Sequence, residues 1–150
     1  GEPKVIEYNC RFGDPETQPI MMRMETDLYH LCLAAVNKKL ADQTVSWTNQ
    51  VALGVVLAAG GYPANYNKGD KIEGLEDIDS KDCKVFHAGT QQQDGNIVTA
   101  GGRVLCVTAL ADTTKEAQIK AHSTASKIQW PGIQSRKDIG FRAIQREEQQ

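Results

Sequence analysis

Two apolar runs constrain this chain more than anything else in it. The first is Val51 to Ala59 in VALGVVLAAGGYP, a β-rich run that ends in a glycine turn. Even extended to Gly61 it is too short to cross a bilayer, so it reads as a core strand. The second is GRVLCVTAL, the clearest strand after it. The segment DTTKEAQIKAHSTASKIQW then reads as a helix. Thr113 with Glu116 fits a capping box, and Ala117, Ala121, Ala125 and Ile128 form an apolar stripe.

Shorter elements fill the remainder. CKVFHAGT and NIVTA read as strands, with QQQDG as the turn between them, and Lys71 to Glu73 as a short strand between glycines. Upstream, Val5 to Asn9 reads as a strand and Cys10 to Pro19 as a loop. Pro19 suits the first turn of a short helix through IMMRM. A longer helix follows, capped by Thr26 or Asp27, with Leu28, Leu31, Cys32, Ala35, Val36 and Leu40 at helical spacing. The segment from Ala41 to Asn49 is polar and aperiodic. The pattern is α+β, and it divides the chain into residues 1–48 and 49–150.

A length of 150 residues suits one domain with a real core, or a small domain plus a piece of another. With 40% hydrophobic and 24% charged residues the chain is globular and not disordered. A net charge of −2 supplies no attraction for nucleic acid or an anionic membrane. The N-terminus has no basic region followed by an apolar stretch, and so no signal peptide is expected. The chain starts without Met and opens almost at once on a strand, which predicts a segment of a longer polypeptide. Cys10, Cys32, Cys83 and Cys106 form no CxxC pair. Reduced thiols in a cytoplasmic protein are expected, with Cys32 and Cys106 buried.

The stretch that carries chemistry is EYNCRFGDPETQP. Side chains alternate along a strand, so Glu7 and Asn9 share a face. A carboxylate and an amide oxygen side by side suit a hard cation such as Mg²⁺. Arg11, two residues on, suits a phosphate or carboxylate oxygen. Gly13 lets a ligand approach the backbone beside Asp14. The same residues are also compatible with a solvated edge strand, with Arg11 paired to Asp14 or Glu16 across a turn. His30, His87 and His122 show no metal-ligand spacing and read as structural. The Gly101–Gly102–Arg103 turn reads as a tight hairpin with a surface arginine, although a glycine pair before Arg103 also suits a position facing substrate.

The full string EYNCRFGDPETQP resembles the signature of the phosphoribosylamine–glycine ligase (glycinamide ribonucleotide synthetase) family. LGVVLAAGGYP, VFHAGT, GGRVLCVTAL and RKDIGFRAI resemble the C-terminal region of the same family, in the same order. The resemblance implies an ATP-grasp enzyme that joins glycine to 5-phosphoribosylamine through a glycyl phosphate, in cytoplasmic de novo purine biosynthesis. It implies ATP and Mg²⁺ (or Mn²⁺) as cofactors, with Glu7 and Asn9 as metal ligands. Arg11 and Asp14 are then the catalytic candidates, and Gly13, Asp14 and Pro15 the candidates for substrate binding. Residues 1–48 would be the end of an ATP-grasp domain. Residues 49–150 would be a β-rich domain of rudimentary single-hybrid, barrel-sandwich-like type. The upstream ATP-covering loop of such enzymes has no counterpart here, so the chain alone is expected to be inactive. A stand-alone binding or dimerisation module is the alternative. Another ATP-grasp ligase or carboxylase is less consistent with RFGDPE.

Overall fold

The structure is a computed structural model that describes residues 2–76, 78 and 80–149. Its helices are α1 (Thr17–Arg23), α2 (Leu28–Val36), α3 (Thr114–Ala125) and α4 (Phe141–Glu147). Its strands are β1 (Val51–Ala58), β2 (Cys83–His87), β3 (Thr90–Gln93), β4 (Asn96–Thr99) and β5 (Arg103–Ala111).

β5 is the centre of the fold. Every residue after Arg103 in it is buried, as expected of a strand covered on both faces and paired on both edges. It pairs antiparallel with β1 and with β2, so Val107 stands opposite Val55 on one side and Val85 on the other. β1 alternates, with Leu53, Val55 and Leu57 buried between less buried neighbours. These three join Leu105, Val107 and Ala109 in the core that α3 covers. The stripe on α3 is small for a reason: Ala117 and Ala121 have no exposed surface, which lets the helix backbone settle close onto the sheet. Thr113 caps α3 by accepting a hydrogen bond from the Glu116 backbone N–H at 3.2 Å.

The opposite face of the sheet receives α1, which packs on β1 and β5. Gly54 makes that approach close. A Cβ there would lie 3.2 Å from Pro19 Cγ and 3.1 Å from Cys106 Sγ. Burial pushes the Cys106 thiol above its ordinary range, an effect only partly offset by the Thr108 hydroxyl beside it.

Several expectations are corrected. Residues 5–9 are in no strand, because the described chain offers no neighbour to which their backbone hydrogen-bonds. α2 stops at Val36 rather than reaching Leu40: the backbone turns left-handed at Lys38 (φ 57°), and Leu40–Asp42 forms a separate 3₁₀ turn. Cys32 on that helix is exposed, not buried. Lys71 and Glu73 make isolated bridges to Val98 and Gln129, not a strand. Gln91–Gln93 belong to β3, since the β3–β4 hairpin needs only Asp94 and Gly95 in its loop, both at positive φ. Among the described residues no helix is long and apolar enough to cross a membrane.

Candidate functional site

The loop after Asn9 is tied down from both ends. Gly13 C=O accepts hydrogen bonds from the Thr17 backbone N–H at 3.1 Å and from the Thr17 hydroxyl, which folds the loop onto the first turn of α1. A Cβ on Gly13 would lie 2.4 Å from Glu16 Oε2, so the glycine is what lets that carboxylate turn back under the loop. At the same loop Asp14 Oδ2 forms an ion pair with Arg103 Nη2 at 2.9 Å. Arg103 is the first residue of β5, and Gly102 before it is needed for close packing: a Cβ there would lie 2.2 Å from Tyr62 Cδ2. The expected local pairing of Arg11 with Asp14 or Glu16 is not what forms. Asp14 reaches across to the sheet instead.

Glu7, Asn9 and Arg11 do come together. Asn9 Nδ2 donates to Glu7 Oε1 at 3.2 Å. Arg11 Nη1 donates to Asn9 Oδ1, and to the Phe12 carbonyl at 3.2 Å. The three head groups form an exposed chain of carboxylate, amide and guanidinium. The Glu7 carboxylate takes up only the Asn9 amide among the described residues, which leaves it oxygen sites for a cation. Asn9 turns its NH2 to Glu7 and its Oδ1 to Arg11, so the two residues could share a cation only with that amide oxygen released from the guanidinium. No group of three His, Cys, Asp or Glu side chains suited to a metal occurs among the described residues.

Beside the Asp14 loop opens a cleft of about 1000 Å³. Pro15 and Arg103 line it at the loop end, and His122, Arg136 and Lys137 line it elsewhere. His122 Nε2 is buried without a hydrogen-bond partner. Burial, and then the nearby Lys137 charge, hold its pKa below the ordinary value of 6.5. Arg136 grips Asp138 with a fork, Nε to Oδ1 at 2.9 Å and Nη2 to Oδ2 at 2.6 Å. That pairing raises the Arg136 pKa and lowers that of Asp138.

His87 and His30 play no part here. His87 Nδ1 lies 3.0 Å from Thr90 Oγ1, and His30 Nδ1 lies 3.8 Å from Asp27 Oδ2. Sequence reasoning gave Arg103 too little weight and assigned no role to Arg136 and Lys137 in RKDIG. The signal available was the GGR triplet, whose glycines make room around an arginine.

The sequence profile described as Phosphoribosylglycinamide synthetase, C domain, matches residues 52–142. The chain is 61% identical over 149 residues to a phosphoribosylamine–glycine ligase of Vibrio vulnificus (strain CMCP6), covering 99% of this chain and 35% of that protein. It is 60% identical over 147 residues to the Yersinia pestis protein of the same name, covering 97% and 34%. The crystal structure of phosphoribosylamine–glycine ligase from Thermotoga maritima superimposes with a TM-score of 0.73 at 36% identity, over 93% of this chain and 34% of that one. The chain thus spans about a third of the length of the curated relatives it matches. Matching the family profile over residues 52–142 and these ligases along nearly its whole length, the chain belongs to the phosphoribosylglycinamide synthetase C-domain family.

Proposed function

We propose that this chain is the C-terminal part of a cytoplasmic ATP-dependent ligase that joins glycine to 5-phosphoribosylamine, giving glycinamide ribonucleotide, ADP and phosphate for purine synthesis. The observation that carries this reading is 61% identity along 99% of the chain to a protein of that name. Residues 1–48 are read as the end of an ATP-grasp domain, and residues 49–150 as its barrel-sandwich-like companion. Val5, Ile6 and Tyr8 support the first part. They are exposed apolar side chains beside a polar site, as expected where further ligase polypeptide packs.

Within this reading Glu7 and Asn9 hold Mg²⁺ (or Mn²⁺), which when bound neutralises charge on the phosphates of ATP. Arg11 donates to Asn9 Oδ1 here, so metal binding in this reading frees that oxygen from the guanidinium and turns it toward the Glu7 carboxylate. Arg11 carries further donors that suit the oxygens of a transferring phosphoryl group or acyl phosphate. Gly13, Asp14 and Pro15 form the substrate loop. Asp14 is the acceptor suited to an amine, and Arg103 sets its direction. Acyl transfer from the phosphate to the amine then depends chiefly on holding the two in reach of each other.

The test is Glu7→Gln in the full-length ligase. Glu7 is exposed and its one hydrogen bond is to Asn9, so the fold is expected to be unchanged. Glycine-dependent ADP release is expected to fall at least about a hundredfold. Near-normal release at saturating metal would remove Glu7 from the metal site.

A further inference from the structure

The wall of the cleft that carries Arg136 and Lys137 is a strap held at its ends. At the near end Gln134 exchanges two backbone hydrogen bonds with Ala58, at 2.8 Å and 2.9 Å, on the edge of β1 away from β5. Ile133 and Ile139 pack on the core, while Arg136, Lys137 and Asp138 between them are exposed. Residues 135–137 make no backbone hydrogen bond among the described residues. At the far end the Ile139 carbonyl meets no backbone N–H among the described residues, because the ladder of α4 starts one residue later, at the Gly140 carbonyl. Gln118 of α3 takes it instead, its Nε2 donating to the carbonyl oxygen at 2.6 Å. The bond is partly buried, so water replaces it poorly. Gln118 stands one turn before His122 on the same helix face, and His122 is the group that feels the Lys137 charge.

We propose that Gln118 is a positioning residue for the reaction: by holding the Ile139 carbonyl it fixes the far end of the strap, and with it the place of Arg136 and Lys137 in the cleft wall. The link to the reaction rests on the ligase reading above. In that reading the cleft borders the substrate loop at Pro15. A strap released at one end would sample many positions, most of them out of register with a substrate held by that loop. Gln118 touches no substrate, and its effect passes through the strap.

The anchor is tested on the 150-residue chain by NMR. Gln118→Met keeps the length and helix propensity of the side chain but has no donor. Backbone order parameters at residues 135–139 are expected to fall from about 0.85 toward 0.6, with those of β5 unchanged. Lys137→Gln should raise the His122 pKa in the parent chain and do so less in Gln118→Met, because a loosened strap no longer keeps the charge near the imidazole. Unaltered order parameters, or equal effects of Lys137→Gln in both backgrounds, would overturn the anchor.

A second arm reads the reaction in the full-length ligase. Glycine is too short to bridge the loop and the strap, so 5-phosphoribosylamine is the substrate expected to feel the change. Gln118→Met should raise its KM about fivefold, with kcat and the KM for ATP within about twofold of the parent. Ile119→Gly is the control, since Ile119 is exposed on the same helix and the glycine weakens α3 without touching the strap. It should lower the thermal midpoint by about 2–4 °C and leave KM unchanged. An equal rise of KM in Ile119→Gly would make the Gln118 effect one of helix stability and refute the positioning role. So would a parental KM in an active Gln118→Met enzyme. A full-length protein without glycine-dependent ADP release would instead refute the ligase reading, while the anchor seen by NMR would stand.

Discussion

Arg103 Nη2 stands 2.9 Å from Asp14 Oδ2, and this ion pair ties the loop after Asn9 to the first residue of the central strand. Both side chains are close to half exposed, at 40% and 46%. Solvent screens such a pair, and its contribution to stability is at most about 1 kcal/mol. Its consequence is positional. It fixes where Asp14 points and how Arg103 faces the cleft.

Arg103→Gln should therefore leave the thermal midpoint nearly unchanged while loosening residues 11–15. Amide exchange in that loop is expected to speed up, and ligase kcat/KM in the full-length enzyme to fall about tenfold or more. Asp14→Asn should have a similar effect on exchange. The double variant should be no worse than the worse single one, because both remove the same interaction. Additive losses in a double-mutant cycle would show that the two residues act separately.

Gly102→Ala should disturb Tyr62 rather than the sheet. The added Cβ would meet Tyr62 at 2.2 Å and 2.7 Å and Tyr66 at 3.0 Å, so at least one ring must move. A cost of about 1–3 kcal/mol is expected from overpacking. Urea unfolding would measure it, and Tyr62 ring resonances would report the displacement. Wild-type stability with unmoved resonances would contradict the close packing.

His122 should make stability depend on pH. Its folded pKa is lowered from 6.5 by burial and then by Lys137. Below about 6.5 the unfolded chain therefore binds more protons at this residue than the folded chain does, and acid favours unfolding. The contribution is complete above the ordinary histidine range and is lost as pH falls toward the lowered value. Thermal midpoints should decline from pH 7.5 to 5.5, and His122→Gln should flatten that decline. The Asp138 carboxyl, lowered by its bonds to Arg136, acts only in the more acidic carboxylate range, so the two effects separate on the pH axis.

The four thiols should fall into two classes. Cys10 and Cys32 are exposed and Cys83 and Cys106 are buried. Burial also keeps Cys106 protonated beyond the ordinary range, and the thiolate is the reactive form. An aromatic disulfide reagent at neutral pH should titrate two thiols quickly, and the other two only on unfolding. Rapid reaction of all four would place Cys106 outside the core.

Much of the fold is local enough to be read in one dimension. The apolar runs at β1 and β5, the capping Thr113 and the alanine stripe of α3 each declare themselves through short-range periodicity, because strand and helix repeats are set by backbone geometry. The closeness of Glu7, Asn9 and Arg11 was legible for the same reason, since residues two apart in an extended segment share a side. Other features depend on partners distant in sequence. Residues 5–9 have strand-forming side chains, but a strand exists only when a second backbone supplies its hydrogen bonds. The pairing of Asp14 with Arg103 rather than with Arg11 could not be read from spacing. It arises because α1 docks on β1 and β5, where Gly54 admits Pro19, and so carries the loop to the start of β5. Sequence by itself determined the main elements, β1, β5 and α3, and which residues can bear charge. Tertiary packing decided which charges meet, as Asp14 and Arg103 do, and which ones, Lys137 among them, line a cleft. A charge's partner is set by distance through space, and only the packed sheet and helices establish that distance.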